Sequence, residues 1–545
     1  MQWKLTARAI ERRESARIAQ NREPRTIVPT PAFVTGWKTA RFSAKLIMIG
    51  IVAGCASVPT DYPKSESSAL TDTGTTVAAK ASIDWRKDDP ERNGFYPLTQ
   101  GMDAFGARLV LMDRAERSID AQYFMMKPDD AGLVFSQKLL EAADRGVRVR
   151  FLLDDIFTTV DDNALIVLNE HPNLELRIFN PISRKGVYAI NYIGHFRIAN
   201  RRMHNKSFTV DNQISIVGGR NIAEEYFQLD TTEEFVDFDM LSAGPIVKDI
   251  SAAFDTYWNH ELAIPMEALY DEVDNDKLNQ IRQAVKRNMQ ESGDSVYAQA
   301  IHTELMEDIF GGKIAPYLAD ARAIIDDPQK LLEKVSDDQK VVATEIANAL
   351  GKAQKEIIIF TPYFIPGKRG IEMIQAIRAK GVRIVLITNS LATNNHTSVH
   401  SAYSSYRKRV LAAGVELWEA RVNAAETTLD DGTKTLGHLT LHTKGIIIDR
   451  RYTFVGSLNL DPRSIDINTE MGVMIDSEAL AGRLAESSLK KIPDMAYRLQ
   501  LDDKNKITWH ATIDGQQVVE TKEPMTSGWR RFQAWFLKIV PEKQL

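Results

Sequence analysis

Apolar positions in this chain gather into short unbroken runs, and the runs come in matched pairs. Ala142-Ala-Asp-Arg-Gly146 leads into Val147-Arg-Val-Arg-Phe-Leu-Leu153, and Ala376-Ile-Arg-Ala-Lys-Gly381 leads into Val382-Arg-Ile-Val-Leu-Ile387. Each reads as a helix end, a capping glycine, and then a strand buried on both faces. Upstream, Ser118-Ile-Asp-Ala-Gln-Tyr123 is answered by Glu356-Ile-Ile-Ile-Phe-Thr-Pro-Tyr363, again a buried strand. Strands separated by helices predict mostly parallel sheets covered by helices on both faces. The expected fold is therefore α/β: two α/β/α sandwich halves, at about 94–262 and 341–500, related by a pseudo-twofold axis.

The stretches around these halves carry weaker patterns. Residues 56–93 are rich in Ser, Thr, Asp and Lys with little apolar periodicity, which predicts a flexible tether. Residues 263–340 are charged and read as a helical insert. Residues 501–545 predict a hairpin turning at Asp514-Gly515, between Ile507–Ile513 and Gln516–Glu520, and then a helix after Pro524. That helix sets Trp529, Phe532, Phe536 and Ile539 on one stripe, with Arg530, Arg531 and Lys538 mostly off it. An interfacial membrane helix and a terminal helix docked on the protein body both fit.

Composition changes the picture only locally. Over 545 residues the formal charge is −5, which argues against a dedicated nucleic-acid binder. Cys55 is the single cysteine, so no disulfide forms within the chain. Its setting is informative. Lys38, Arg41 and Lys45 precede the apolar run Leu46–Gly54, then come Cys55 and Ala56. Val52-Ala-Gly-Cys55 resembles a bacterial lipobox, with residues 1–55 as a signal segment and Cys55 as the lipidated residue. The stretch before Lys38 is longer than a signal needs, so an early-assigned start is expected. Ala56, in place of aspartate, points to the outer membrane, periplasmic face, with the inner membrane as the alternative.

The chemistry sits in a pattern that occurs twice. Arg-Met-His204-Asn-Lys206-Ser-Phe-Thr-Val-Asp211 recurs as Thr-Leu-His442-Thr-Lys444-Gly-Ile-Ile-Ile-Asp449, at a constant offset of 238 residues. Gly218-Gly-Arg220-Asn221 and Gly456-Ser457-Leu-Asn459 keep the same offset. A lone His-x-Lys would be an ordinary surface strand. Two copies with matched Gly and Asn point to one composite site, and with both copies in one chain no oligomer is required.

In an extended segment His204 and Lys206 share a face, as do His442 and Lys444, while Asp211 and Asp449 point away and fall where the strand turns. The aspartates therefore take a local structural role. Lysine is not a usual metal ligand and no His/carboxylate cluster accompanies these segments, so a metal site is disfavoured. A His and a Lys presented twice suit an anionic tetrahedral group: Lys206 and Lys444 neutralise phosphate oxygens and Asn221 and Asn459 donate to them. One histidine attacks phosphorus and the other protonates the leaving alcohol. Each imidazole needs an acceptor on its far nitrogen. Glu470 is the best candidate in the second half and Asp237 in the first, with Asp239 open. Arg220 and Arg463 bind phosphate or make structural ion pairs, and His400 is held in reserve.

H-x-K-x-x-x-x-D followed by G-G/S-x-N, twice, resembles the phospholipase D superfamily. Within it the chain is similar to bacterial cardiolipin synthases, most closely the C-type branch, on Arg201–Asp211, Val217–Ile222, Thr388–Ala392, Asn459–Ser464 and Asn468–Gly472. The resemblance implies a metal-free and cofactor-free phosphatidyltransferase working through a phosphohistidine, with His204 as nucleophile. Phosphatidylglycerol is the implied acceptor and phosphatidylethanolamine or phosphatidylglycerol the donor, at a membrane surface and without nucleic acid. Hydrolysis to phosphatidic acid is the alternative, and a nucleic-acid phosphodiesterase a more distant one.

Overall fold

The computed structural model describes residue 58 and residues 62–542, apart from 185–195, 230–232, 333–334, 337–338, 425–426, 429–433, 436–437, 514 and much of 271–312. Cys55 and its signal-like segment, Asp514 and a part of the expected helical insert, most of it within 271–312, lie outside these residues.

The first half contributes β1 (Asn93–Leu98), β2 (Ser118–Tyr123), β3 (Arg148–Asp154), β4 (Leu174–Phe179), β5 (Ser207–Val210), β6 (Ile214–Gly218), β7 (Glu233–Val236), β8 (Asp239–Ala243) and β9 (Ala263–Pro265). A linking strand, β10 (Tyr317–Ile325), follows. The second half contributes β11 (Glu356–Phe360), β12 (Arg383–Asn389), β13 (Glu416–Ala420), the small pair β14 (Thr427–Thr428) and β15 (Lys434–Thr435), β16 (His438–Leu441), β17 (Gly445–Ile448), β18 (Tyr452–Gly456) and β19 (Met471–Asp476). Last come β20 (Ala496–Leu501), β21 (Ile507–Ile513) and β22 (Gln516–Glu520).

The strand order in the first half is β1-β8-β6-β5-β2-β3-β4-β9. In the second it is β10-β19-β18-β17-β11-β12-β13-β20, the same topology. β1 pairs antiparallel with β10, so the two sheets run on as one of 18 strands. The parallel strands read from the sequence are β2-β3-β4 and β11-β12-β13; the sheets are otherwise antiparallel. The reason is local. Asp211-Asn212 and Asp449-Arg450 turn the chain with φ between 51° and 55°, and connections this short join only antiparallel strands. The capping glycines behave as read: Gly146 (φ 90°) and Gly381 (φ 84°) end the helices Asp130–Asp144 and Gly367–Ala379 ahead of β3 and β12.

Each half has its own apolar core. Ile119, Phe135, Phe151 and Phe208 are central to one, Ile357, Leu386, Leu417 and Phe454 to the other. A third core joins them along the seam, where Phe95, Val217 and Met240 pack with Val455, Met471 and Val473. No helix among the described residues is long and apolar enough to cross a membrane.

Two regions depart from the sequence reading. In place of a flexible tether, residues 62–92 form a strap on the first half: Arg177 and Arg150 donate to the carbonyls of Ser65 (2.7 Å) and Ser67 (2.9 Å), and Val77–Trp85 is a helix. Those partners lie far away in sequence, where composition cannot reveal them. Within the expected helical insert, Tyr317–Ile325 is the strand that joins the halves. Its Ala-Asp-Ala-Arg-Ala core suits a helix by propensity, but the alternation matches a strand and pairing on both edges decides. The terminal hairpin β21–β22 falls on the residues read for it, and β20 joins it to the second sheet.

Candidate active site

The His-x-Lys segments leave the main sheet just before β5 and β17 begin, and cross toward the opposite half. β16 pairs in parallel with β7, and the His442 amide donates to the Val236 carbonyl (2.8 Å). On the other side Met203 bridges Thr469, and the His204 amide donates to the Thr469 carbonyl (3.0 Å). Val236 and Thr469 each precede a carboxylate. Each histidine is thus delivered beside the acid of the other half: His204 Nδ1 is 2.8 Å from Glu470 Oε2, and His442 Nδ1 is 2.6 Å from Asp237 Oδ2. The sequence reading named one acceptor in each half without pairing it to a histidine; the structure sets each acid against the histidine of the other half. Asp239, left open as an alternative, instead pairs with Arg108 at 2.8 Å.

Two polar residues that the sequence reading gave no role hold the crossing segments. Asp154, at the end of β3, accepts the Met203 amide (2.9 Å) and pairs with Arg202 (3.1 Å). Asn389, at the end of β12, accepts the Leu441 amide (2.9 Å) and donates to its carbonyl (2.8 Å). The available signal was a polar residue closing an apolar strand in each half. The motif aspartates sit at the other end of the motif strands, as the parity argument has them. Asp211 accepts the amides of Arg117 (2.7 Å) and Ser118 (2.9 Å); Asp449 accepts those of Lys355 (2.7 Å) and Glu356 (3.0 Å). They tie the motif hairpins to the starts of β2 and β11.

Lys206 and Lys444 are buried, and each Nζ donates to the carbonyl of its own histidine at 2.6 Å. Lys444 Nζ also lies 2.9 Å from His442 Nδ1 and 3.3 Å from Nε2. Burial, and then the charge of Lys444, lower Lys206 to about 7. Burial lowers Lys444 to about 8. Burial and the adjacent lysines hold His204 well below its ordinary value and His442 at about 3. Two neutral imidazoles and two crowded ammonium groups make a site whose charge is completed by an anion.

The carboxylates differ. Burial raises Glu470 to about 7, against the pull of Lys206 and Ser457. Burial works on Asp237 too, but Lys444 and His442 overcome it and hold the acid below its usual range. Ser457 Oγ donates to Glu470 Oε2. At the matched position Gly219 packs so closely on Asp237 that a Cβ would lie 2.2 Å from its Oδ1.

Asn221 and Asn459 are buried, and the Oδ1 of each has no partner among the described residues. Asn221 Nδ2 donates to the Tyr226 hydroxyl (3.0 Å), and that hydroxyl is 3.5 Å from His442 Nε2. Tyr226 was missed from sequence because nothing in the second half repeats it: Ser464 stands at the matched position. Arg220 donates to the carbonyls of Leu98, Thr99, Tyr226 and Asp237 and is fully buried, so its role is structural. Arg463 reaches across the seam to Asn200 Oδ1 (2.7 Å) and carbonyl (2.8 Å). His400 is buried against Arg407 (2.8 Å), away from these histidines.

The family profile described as "Cardiolipin synthase, PLD-like domain" matches residues 109–258 and 346–490. The chain is 34% identical over 469 residues to cardiolipin synthase C of Escherichia coli, covering 86% of this chain and 99% of that protein. It is 30% identical over 503 residues to an uncharacterised protein of Helicobacter pylori, covering 90% and 97%. Among solved structures, a phosphatidylserine synthase of Haemophilus influenzae superposes with a TM-score of 0.53 at 13% identity, covering 85% of this chain and all of that one, a likeness of fold.

Proposed function

Because the chain belongs to the cardiolipin synthase family with phospholipase D-like domains, we propose that it is a phosphatidyltransferase that makes cardiolipin. The observation that carries the mechanism is the pair of crossed contacts, His204–Glu470 and His442–Asp237, with a buried lysine beside each histidine.

Each carboxylate accepts the Nδ1 proton, which leaves Nε2 of each imidazole as the reactive atom. A phosphodiester between Lys206 and Lys444 offsets the two ammonium charges that, with burial, keep the imidazoles neutral, and so favours a second proton on His442. His204 Nε2 attacks phosphorus, the bond to the head-group oxygen breaks, and His442 gives its Nε2 proton to that oxygen. The phosphatidyl group now rests on His204. His442 then takes a proton from the incoming alcohol of phosphatidylglycerol, whose oxygen attacks phosphorus and displaces His204. We assign the alcohol side to His442 because the Tyr226 hydroxyl already stands 3.5 Å from its Nε2, where an alcohol must meet that nitrogen. The free Oδ1 atoms of Asn221 and Asn459 are acceptors, suited to the hydroxyl hydrogen of the departing or incoming alcohol.

The substrates are phospholipids, with phosphatidylethanolamine or phosphatidylglycerol as donor, and the workplace is a membrane surface. The lipobox-like segment supports a lipid anchor at Cys55 on the periplasmic side of the outer membrane; labelled fatty acid should enter the chain and be absent from a Cys55→Ser protein, and label retained by that variant would refute the anchor. The reaction is tested by giving the purified enzyme labelled phosphatidylglycerol, with and without phosphatidylethanolamine, and separating the lipids. Cardiolipin is expected; phosphatidic acid alone would sink the transferase reading in favour of hydrolysis.

A further inference from the structure

Half of the large exposed apolar side chains among the described residues fall within one short stretch at the C-terminus. Met525, Trp529, Phe532, Trp535, Phe536 and Ile539 are between 48% and 73% exposed. The helix Gly528–Phe536 carries most of them, and its aromatic rings pack on each other. The Phe532 ring lies 5.5 Å from Trp529, 5.9 Å from Trp535 and 6.4 Å from Phe536. The helix itself is firmly held from its other side. Ala534 is buried, its carbonyl accepts from Ser401 Oγ, and Arg530 donates to the Asn394 carbonyl (2.6 Å). The sequence left two readings open, a docked helix and an interfacial one. The structure docks the small face and presents the aromatic face outward.

Three further observations say what covers that face. The charge around it is positive. Lys522 and Lys538 are exposed, whereas Glu523 is engaged by Arg407 and Glu542 by the Tyr406 hydroxyl. The composition is that of a bilayer interface, where tryptophan places an apolar ring and a polar N–H at head-group depth beside cationic side chains. The third is position. Asn394, which takes Arg530, follows Thr393, whose carbonyl accepts Thr440 Oγ1 (3.0 Å) in the strand that delivers His442. One loop, Asn389–His396, therefore supports both the helix and the His442 strand.

We propose that the helix Gly528–Phe536 is an interfacial anchor, seating its aromatic face in the head-group layer of an anionic phospholipid bilayer and holding the active site at that level. The proposal rests on phospholipids being the substrates. It places the tryptophans in surface docking and outside the chemistry.

The test uses the full-length chain carrying Cys55→Ser, so that lipidation at that residue does not mask the helix. Vesicles of phosphatidylglycerol and phosphatidylethanolamine serve as the surface. Lipids brominated near the glycerol should quench tryptophan fluorescence in this protein. A Trp529→Ser/Trp535→Ser variant should lose most of that quenching and bind the vesicles at least about tenfold more weakly, since association scales with apolar area inserted. Its turnover should fall by a similar factor on vesicles and stay within about twofold on the same lipids dispersed in detergent. Unchanged vesicle binding, or an absence of quenching in the unsubstituted helix, overturns the proposal. So does a change from dimer to monomer with vesicle binding intact, which would make the face a contact between copies. Failure of the substrate reading looks different: no lipid turnover by the Cys55→Ser parent in either vesicles or detergent.

Discussion

The two histidines stand in different surroundings although the same motif builds both. His442 is enclosed by rings of the opposite half: Phe235 stacks on it (5.4 Å between centroids) and Tyr226 meets it edge-on (5.0 Å). His204 meets Phe124 of its own half, edge-on at 4.8 Å. The acids differ in the same sense. Asp237, one methylene shorter, is backed by Gly219 and held ionised by Lys444 and His442; Glu470 is longer, takes a hydrogen bond from Ser457, and is raised by burial to about 7. The fold supplies two equivalent seats, and the side chains placed in them hold one acid below its usual range and raise the other to about 7. That division suits a reaction in which one imidazole attacks and the other shuttles a proton.

Removing either imbidazole should give the largest effect, and in unequal ways. His204→Ala and His442→Ala should each lose about 10⁴-fold or more in turnover of natural lipid. With a phosphodiester whose leaving group needs no proton, His442→Ala should still accumulate a covalent phosphoryl enzyme and His204→Ala should not. Acid-labile label on the His442→Ala protein checks the assignment, and label on His204→Ala would reverse it.

Next is the seat of Asp237. Gly219→Ala places a methyl 2.2 Å from Oδ1 and should push the acid off His442, costing about 10- to 100-fold in kcat, as loss of an orienting carboxylate does. The mirror change, Ser457→Ala, meets no such clash and should cost far less; equal losses would break the comparison. Tyr226→Phe removes the hydroxyl beside Nε2 of His442. It should lower kcat/KM for the acceptor by about tenfold and raise the share of phosphatidic acid, read from the product ratio, while labelling of the covalent intermediate persists.

The smallest effect is a shift in pH dependence. When Glu470 is protonated it no longer accepts the Nδ1 proton of His204, so kcat/KM should fall as pH drops through about 7. On the alkaline side it should fall as Lys206, near 7, and Lys444, near 8, lose their charge. Ser457 stabilises the ionised form of Glu470, so Ser457→Ala should move the acid limb upward, giving a several-fold loss at pH 6 and little at pH 8. An acid limb that does not move would mean that Glu470 is not the group titrating there.

The repeat was legible because a strand turning back on itself leaves a spaced signature of His, Lys, Asp and Gly, and because the strand before it is apolar on both faces. The turn role of Asp211 and Asp449 followed from parity alone. Crossing between halves was not legible. It depends on Met203 meeting Thr469 and on β16 meeting β7, pairings between segments more than 200 residues apart that carry no common spacing. Tyr226 escaped for the opposite reason: reading by repetition finds what both copies keep and passes over what one copy alone has. The joining strand Tyr317–Ile325 escaped because alanine satisfies helix propensity while alternation and edge pairing set the outcome.

The exchanged partners also bear on how such a chain can change over generations. A single half pairing with a copy of itself would set His204 against Asp237, with Gly219 where the other side has Ser457: a shorter acid with no hydroxyl behind it. Two copies of the second half would set His442 against Glu470, with Leu458 and Ser464 in place of Arg220 and Tyr226. Neither assembly rebuilds both seats. A self-associating single half would therefore lose one of the two seats, and substitutions at Asp237 and Gly219, or at Glu470 and Ser457, are expected to move in pairs.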